Sequence, residues 1–202
     1  MMRRLNYPFT QKQVQELQLG DTVFVNGEIT ISAGLPTYKR LVEYVEKNKE
    51  LPLDFNNAAL FHLGVNSRKI DGIDKILYVN PTTSARFNPY MPTLIRKFNL
   101  RLTGGKGGLD SESVAAMKEA GCVYLAFLGG GAPIYSHSMT NIPEVYWTDY
   151  VPHYRLTRIV VNELGPLIVA IDAKGNSIYE NIERNLSTKF PEIIDEFKHM
   201  DG

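Results

Sequence analysis

The chain has 202 residues, and its 22 lysines and arginines equal its 22 aspartates and glutamates, so the formal net charge is zero. This balance argues against a general affinity for nucleic acid or for a membrane surface, and no apolar run is long enough to cross a bilayer. The single cysteine, Cys122, excludes an internal disulfide and indicates a reducing compartment, for which we expect the cytoplasm. A chain of this length can bury its own core, and we expect one domain over residues 1–202.

The first half of the chain alternates between helical and extended patterns. Thr10 and Gln13 have the spacing of a capping box at the start of a short helix over 10–19. A second helix is expected over 38–48, with Pro36 in the turn that starts it. Apolar and β-branched runs predict strands at 22–26, 27–33, 58–64 and 75–79, and the polar stretch 66–74 is expected to be a mobile loop.

The second half continues this alternation but ends in successive strands. Helices are expected over 89–98, interrupted near Pro92, over 111–119, with Asp110 or Ser111 as N-cap and Gly121 as stop, and over 190–199. Strands are predicted at 100–103, 122–128, 145–147, 156–161 and 167–171. The pattern therefore predicts an α/β fold with a mixed sheet, and it contains too few strand–helix units for a closed barrel of such units.

The segment 81–86, which reads PTTSAR, follows one of the predicted strands. Hydroxyl side chains beside an arginine suit a small carboxylate, which needs little side-chain bulk, free backbone N–H groups and a fixed positive charge. If a helix begins near Thr82, Arg86 lies four residues on and on the same face of its first turn. Taken alone, this spacing favours a simpler interpretation, in which Thr82 caps the helix and Arg86 is a surface cation.

The segment 104–108, which reads GGKGG, is the second candidate loop. Lys106 lies among four glycines and could approach a ligand without crowding. The segment lacks the Gly-Lys-Ser/Thr order of a phosphate-binding P-loop. A flexible turn with a solvated lysine explains the composition equally well.

The histidines and the cysteine give no separate catalytic pattern. His62 lies in an apolar run, where a core histidine bonded to backbone is expected, and the other histidines show no metal-ligand spacing. Cys122 begins an apolar strand and is expected to be an inert core thiol. One cysteine also cannot supply the several thiolates that an iron–sulfur cluster requires.

Together, these segments resemble the β subunit of L(+)-tartrate dehydratase and the C-terminal domain of class I iron–sulfur fumarases. The resemblance runs in order through nearly the whole chain. Its most specific stretches are PTTSAR at 81–86 and GKGG at 105–108, and it extends to GDTVFVNG at 20–27, ALFHLG at 59–64 and GPLIVAID at 165–172.

The resemblance implies a swivelling β/β/α domain and a hydro-lyase that adds water to, or removes it from, a hydroxy (di)carboxylic acid. In such enzymes a [4Fe–4S] cluster lies on a separate α subunit or N-terminal domain, where three cysteines hold it and it acts as a Lewis acid. This chain would then bind no cofactor or metal itself. Its implied partners are a cluster-bearing α subunit, in a homodimer or an assembly of two α and two β subunits, and a small hydroxy acid or enoate.

The resemblance also implies roles for the two loops. It assigns proton abstraction to Thr82 and a substrate carboxylate to Arg86. Lys106 is assigned to the same carboxylate or to the enolate-like charge that develops, so it both binds and catalyses. Thr83 and Gly105 are expected to contact the substrate. The two cations would also lower the cost of forming a threonine alkoxide.

One segment departs from the pattern of these enzymes. They usually carry an Arg-Asp-x-x-His run before the first long helix, where this chain has Gly34 and Tyr38 in place of the arginine and the histidine. The arginine would hold the second substrate carboxylate, and loss of one partner of such a pair costs about 2–5 kcal/mol of binding. Three explanations remain open: a substrate that differs at that end, another cation such as Lys39 or Arg68, or a non-catalytic carboxylate-binding or regulatory paralogue.

Overall fold

The computed structural model describes residues 1–71 and 73–200, which form nine strands, six α-helices and two short 3-10 turns. The strands are β1 (Met2–Asn6), β2 (Thr22–Ile31), β3 (Ala59–Phe61), β4 (Leu63–Ile70), β5 (Ile73–Pro81), β6 (Leu102–Gly105), β7 (Val123–Ala126), β8 (Met139–Tyr146) and β9 (Leu156–Ile171). The helices are α1 (Gln11–Gln15), α2 (Leu35–Glu46), α3 (Met91–Phe98), α4 (Ser111–Ala120), α5 (Ala132–Ser136) and α6 (Ile178–Met200). The 3-10 turns lie at Ser84–Phe87 and Pro152–Tyr154.

Seven strands form one mixed sheet in the order β1-β2-β3-β6-β7-β9-β8. The first five strands in this order run parallel to their neighbours, and β9 runs antiparallel to β7 and β8. Because β9 also pairs antiparallel with β2, from Thr22 opposite Ile168 to Ile31 opposite Thr157, the sheet curls into a partial barrel. The predicted α/β class with a mixed sheet is confirmed, whereas this closure was not predicted from the pattern of elements.

Two hydrophobic cores lie on opposite faces of the sheet. Successive residues of β7 alternate between these cores, with Val123 and Leu125 in one and Tyr124 in the other, as the two faces of a strand require. The first core also contains residues of the β4–β5 hairpin. The second contains the apolar sides of α2, α3 and α4, and we call it the helix-side core. The layers are therefore hairpin, sheet and helices, which is the β/β/α order that the resemblance implied.

Local signals placed several helix ends correctly. The Thr10 capping box is present, and Asp110 caps α4 by accepting a hydrogen bond from the Ser113 amide. Gly121 ends α4 in the left-handed conformation that glycine favours, with φ at +69°. Pro92 lies in the first turn of α3 and does not interrupt it, so the predicted break there is wrong.

The extended segments were predicted less well. The part of 66–74 that the structure describes belongs to the β4–β5 hairpin and is not a loop, while Gly72 lies outside the described residues. The two strands predicted over 22–33 are the single strand β2, and those at 156–161 and 167–171 are the single strand β9. β9 continues through Glu163, whose φ is +53° and whose amide donates to Asn26 Oδ1 at 2.6 Å. Helix α6 begins at Ile178, well before the predicted start, and α5 and β1 were not predicted.

Helix α6 leaves the fold with one apolar side uncovered. Its first residues, Ile178 and Tyr179, pack against the helix-side core. Farther along, Ile182, Leu186 and Phe190 are each more than half exposed. Among the helices of the described chain, α6 included, none is long and apolar enough to span a membrane.

Candidate active site

The two candidate loops meet at the carboxyl ends of β5 and β6, where backbone hydrogen bonds join them. The Thr82 amide donates to the His62 carbonyl at 2.9 Å, and the Lys106 amide donates to the Thr82 carbonyl at 2.9 Å. The Ser84 amide in turn donates to the Lys106 carbonyl at 2.8 Å, which gives a parallel bridge between Thr83 and Lys106. We call this arrangement the loop junction. These contacts are made by backbone groups, and the side chains of Thr82, Thr83 and Lys106 take no part in them.

The glycines before Lys106 are explained by close packing. A Cβ at Gly105 would overlap the Ser84 hydroxyl and lie 3.0 Å from the Thr82 carbonyl oxygen. A Cβ at Gly104 would overlap the Leu125 carbonyl oxygen. The loop is therefore built for the close approach of three backbone segments, which argues against the flexible turn that its composition had also allowed.

A buried hydrogen-bond network lies beneath the loop junction. Ser84 Oγ is hydrogen-bonded to His62 Nδ1 at 2.8 Å and to the Tyr124 hydroxyl at 2.7 Å, and that hydroxyl accepts from the Gly108 amide at 3.3 Å. His62 Nε2 lies 3.4 Å from Met91 Sδ, so the imidazole contacts side chains and the predicted backbone bond is wrong. Burial lowers the pKa of His62 from 6.5 to about 3 and raises the pKa of Tyr124, so both are neutral at pH 7. We call these four residues (62, 84, 108 and 124) the Ser84 network.

A cavity of about 530 Å³ lies on the other side of the loop junction. Four of the residues singled out from the sequence line it, namely Thr82, Thr83, Arg86 and Lys106. Gly105 lies behind this wall, is buried, and is not among the lining residues. The structure therefore brings together the hydroxyls and both cations of two loops that are about twenty residues apart in the sequence.

The cations of this wall are not engaged elsewhere. Within residues 1–71 and 73–200, neither the exposed Arg86 nor the half-buried Lys106 makes an ion pair or a side-chain hydrogen bond, and the Thr82 hydroxyl makes none. The N-cap of the turn Ser84–Phe87 is Thr83, and no side chain caps it, so the interpretation of Thr82 as a capping residue is wrong. Two unpaired cations beside a free hydroxyl are suited to hold a small anion.

The other polar residues that line the cavity were not predicted from the sequence. Asn66, Tyr78 and Asn80 come from the β4–β5 hairpin, and His153 comes from the turn Pro152–Tyr154. The Asn66 side-chain amide donates to the Tyr78 hydroxyl at 3.1 Å. The polar residues at alternate positions 78 and 80 could have indicated one strand face. Nothing in the sequence places His153 here, because it reaches the cavity from the far end of the chain.

The two departures from the family pattern lie outside the cavity. Gly34 is buried, and a Cβ there would lie 2.6 Å from the Tyr154 Cβ and 2.8 Å from its Cα. Tyr38 is fully buried in the helix-side core, and burial raises the pKa of its hydroxyl. Lys39 and Arg68, the two cations considered as replacements, are not among the residues that line the cavity.

The residues of this chain do not fit an iron–sulfur cluster. Its one cysteine, Cys122, is fully buried, and burial raises the pKa of the thiol to about 12. In the part of the chain that the structure describes, no three His, Cys, Asp or Glu residues are grouped so that they could hold a metal ion. Thiolate ligation needs several accessible cysteines with lowered pKa values.

Comparison with known proteins gives one consistent relationship. A model of the family described as fumarase C-terminus matches residues 2–182. A putative L(+)-tartrate dehydratase subunit beta of Methanocaldococcus jannaschii is 34% identical over 92% of this chain and 95% of that protein. The L(+)-tartrate dehydratase subunit beta of Escherichia coli K12 is 27% identical over 97% of this chain and 96% of that protein. A putative class I fumarate hydratase of Geobacillus stearothermophilus is 31% identical over 94% of this chain but only 36% of that protein.

Proposed function

The chain belongs to the fumarase C-terminus family, and we propose that it is the β subunit of a hydro-lyase of the fumarate hydratase and L(+)-tartrate dehydratase type. It would act as one domain over residues 1–202 and catalyse the reversible addition of water to a small enoate, or its removal from a hydroxy acid. The observation that carries this proposal is the presence of two unpaired cations and a free hydroxyl, those of Arg86, Lys106 and Thr82, on one cavity wall.

The two cations would bind one carboxylate of the substrate. The Arg86 guanidinium can donate two parallel hydrogen bonds to both carboxylate oxygens, and the Lys106 ammonium adds a point charge. The loop junction fixes the backbone of Lys106 at both its amide and its carbonyl. The point from which this side chain extends is therefore set before the substrate arrives, so the ordering cost on binding is limited to the rotamers of the lysine itself.

Thr82 would move the proton. During dehydration its deprotonated Oγ1 accepts the proton from the carbon next to the carboxylate, and the electron pair of that C–H bond forms the double bond. The C–O bond breaks with its electron pair on oxygen, so the hydroxyl leaves as hydroxide, for which the cluster of the proposed partner would supply the Lewis acid. During hydration the hydroxyl returns the proton to carbon. The neighbouring cations stabilise both the alkoxide and the enolate-like charge, which is the main electrostatic requirement of this reaction.

The active site would be completed by another chain. Two of the relatives named above are called subunit beta, and the residues of this chain do not fit an iron–sulfur cluster. We therefore propose a cluster-bearing α subunit as partner, with the [4Fe–4S] cluster on that subunit. The present chain would assemble as a homodimer or within an assembly of two α and two β subunits. The single buried cysteine supports a reducing compartment such as the cytoplasm.

A second candidate function is a carboxylate-binding module without chemistry. It is favoured by Gly34, since this position cannot supply the arginine expected for the second substrate carboxylate. Such a module would keep the anion site formed by Arg86 and Lys106 and would bind small carboxylates without turning them over.

Anaerobic co-purification of the chain with its cluster-bearing partner, followed by a screen of hydroxy acids and enoates for loss or gain of water, tests the proposal. We expect Thr82→Ala, Arg86→Ala and Lys106→Ala each to lower kcat/KM by about 10²–10³-fold or more without unfolding the chain. Lys39→Ala and Arg68→Ala, which change exposed residues outside the cavity, are the matched controls and should retain full activity. Near-normal turnover in all three site variants would refute the assignment. Carboxylate binding without turnover in the assembled complex would favour the binding module.

A further inference from the structure

The cavity has a cationic end and a second end that the proposed function does not use. At the first end the Thr82 amide is bonded to the His62 carbonyl. At the second end Gly64 lies against His153, since a Cβ at Gly64 would lie 3.1 Å from the Cβ of His153. Positions 62 and 64 are two residues apart in an extended chain, which corresponds to about 6–7 Å. His153 lines the cavity, and the backbone spacing between the Thr82 attachment and the Gly64 contact is roughly the length of a four-carbon diacid.

The turn that carries His153 is fixed by its backbone. The Ala33 amide donates to the His153 carbonyl at 3.0 Å, and the Ser32 hydroxyl donates to the Tyr154 carbonyl at 3.1 Å. The Thr37 hydroxyl also donates to the Tyr154 carbonyl. The imidazole of His153 is exposed and makes no hydrogen bond to the described residues, and it packs edge-on against the Tyr154 ring, with the ring centroids 4.5 Å apart. A fixed backbone with a free imidazole is suited to ligand contact.

The same turn prevents the neighbouring segment from contributing a side chain. Any side chain at Gly34 would meet Tyr154 at 2.6–2.8 Å, including its Cα. Ala33, which lines the cavity, has only a methyl group to offer. Among the described residues of this chain, recognition at this end must therefore come from the turn or from the hairpin.

The arginines close to this turn are already engaged. Arg155 donates to the backbone carbonyls of Tyr150 at 2.9 Å and Thr148 at 3.2 Å. Arg40 forms an ion pair with Asp149 at 2.6 Å. Neither arginine lines the cavity. Of the described residues that do line it, the imidazole is thus the one group at this end that can carry positive charge.

We propose that His153 contacts the second acceptor group of the substrate and makes this chain selective for ligands with a carboxylate at each end. An imidazole donates an N–H in either neutral tautomer and two when protonated, so it can serve a carboxylate oxygen. His153 is thus a specificity-determining residue for the reaction proposed above, and the inference rests on that proposed function. The side-chain amide of Asn80, which also faces the cavity, is the competing contact.

The inhibition constants of succinate and butyrate for the assembled enzyme test this assignment. The two ligands share a four-carbon chain and one carboxylate, and they differ only in the second carboxylate. We expect His153→Ala to weaken succinate about tenfold or more and butyrate less than twofold. His153→Gln, which keeps one side-chain N–H donor, should retain part of the selectivity. His137→Gln changes a histidine outside this cavity and should leave both constants unchanged.

The outcomes separate this inference from the proposed function. Selective loss of succinate binding in His153→Ala, with both ligands weakened in Arg86→Ala, supports the inference. Equal changes for both ligands in His153→Ala, no change, or selective loss in Asn80→Ala would overturn it while leaving the proposed function intact. If the wild-type assembly neither turns over a hydroxy acid nor binds butyrate through Arg86, the proposed function itself fails.

Discussion

The buried and cavity sides of the loop junction have opposite properties. On the buried side, the Ser84 hydroxyl is bonded to His62 and to Tyr124, and all three side chains are almost completely shielded from water. On the cavity side, the cationic groups of Arg86 and Lys106 have no partner among the described residues. Within the short segment 82–86, Ser84 therefore belongs to the buried network, whereas Thr82, Thr83 and Arg86 line the cavity. Substitutions should separate the two roles cleanly.

Among single substitutions, the largest loss of stability is expected where the buried side is most crowded. In Gly105→Ala the new Cβ would overlap the Ser84 hydroxyl and approach the Thr82 carbonyl, so the free energy of unfolding should fall by about 3 kcal/mol. Urea denaturation measures this change. Gly129→Ala is the matched control, because a Cβ there meets only the flexible Lys106 side chain, at 3.6 Å. Equal stability of the two variants would show that the loops are not closely packed.

The next effect concerns the Ser84 network. Ser84→Ala leaves the His62 imidazole and the Tyr124 hydroxyl without their shared partner in a buried site, which should cost about 1–3 kcal/mol of unfolding free energy. Tyr124→Phe keeps the contact between Ser84 and His62 and should cost less. If Ser84→Ala is as stable as the wild type in urea denaturation, the network does not support the junction.

The pH dependence of stability should report on His62. The unfolded chain protonates this group near pH 6.5 and the native chain only near pH 3, so the unfolded state binds more protons between these values. Stability should therefore fall as the pH is lowered from about 6.5 towards 3, by at most about 1.4 kcal/mol per unit from this group. His62→Gln cannot titrate, and the difference between the two pH profiles isolates the contribution. Parallel profiles would contradict a buried neutral imidazole.

The smallest effect on stability is expected on the cavity side. Arg86→Ala removes an exposed, unpaired cation, so the free energy of unfolding should change by less than about 0.5 kcal/mol while activity falls. Thermal or urea unfolding of the same preparation used for kinetics checks both quantities together. A large loss of stability would mean that Arg86 belongs to the frame of the site and that its kinetic effect is indirect.

The sequence was informative where structure is decided locally. The Thr10 capping box, the Asp110 cap and the Gly121 stop involve residues within a few positions of one another, and all three are present. The single strand β9 was predicted as two strands, and inside it the Glu163 amide is bonded to Asn26 on another strand. Such long-range contacts cannot be inferred from neighbouring residues.

The same limit applied to the cavity. Its cationic wall was predicted because two short motifs carry it, and their meeting follows from strands that end at the same edge. The partners of His62 are 22 and 29 residues away, so a backbone bond was the natural local expectation for it. His153 lies 71 residues beyond Thr82, on a turn whose place in the fold depends on contacts with Ala33 and Ser32. Only the folded chain shows that His153 lines the same cavity as Thr82.

The backbone pairing of Thr82, Ser84 and Lys106 also affects how this protein could evolve or be redesigned. Both the amide and the carbonyl of Lys106 are used by backbone partners, and so is the amide of Ser84. The backbone hydrogen bonds of the loop junction therefore do not use the side chains at positions 83, 86 and 106. We therefore expect single substitutions that change charge, length or hydrogen-bonding capacity at these three positions to leave the protein folded. If these residues bind the substrate as proposed, new ligand preferences would be accessible by substitution alone, without insertion, deletion or rebuilding of a loop.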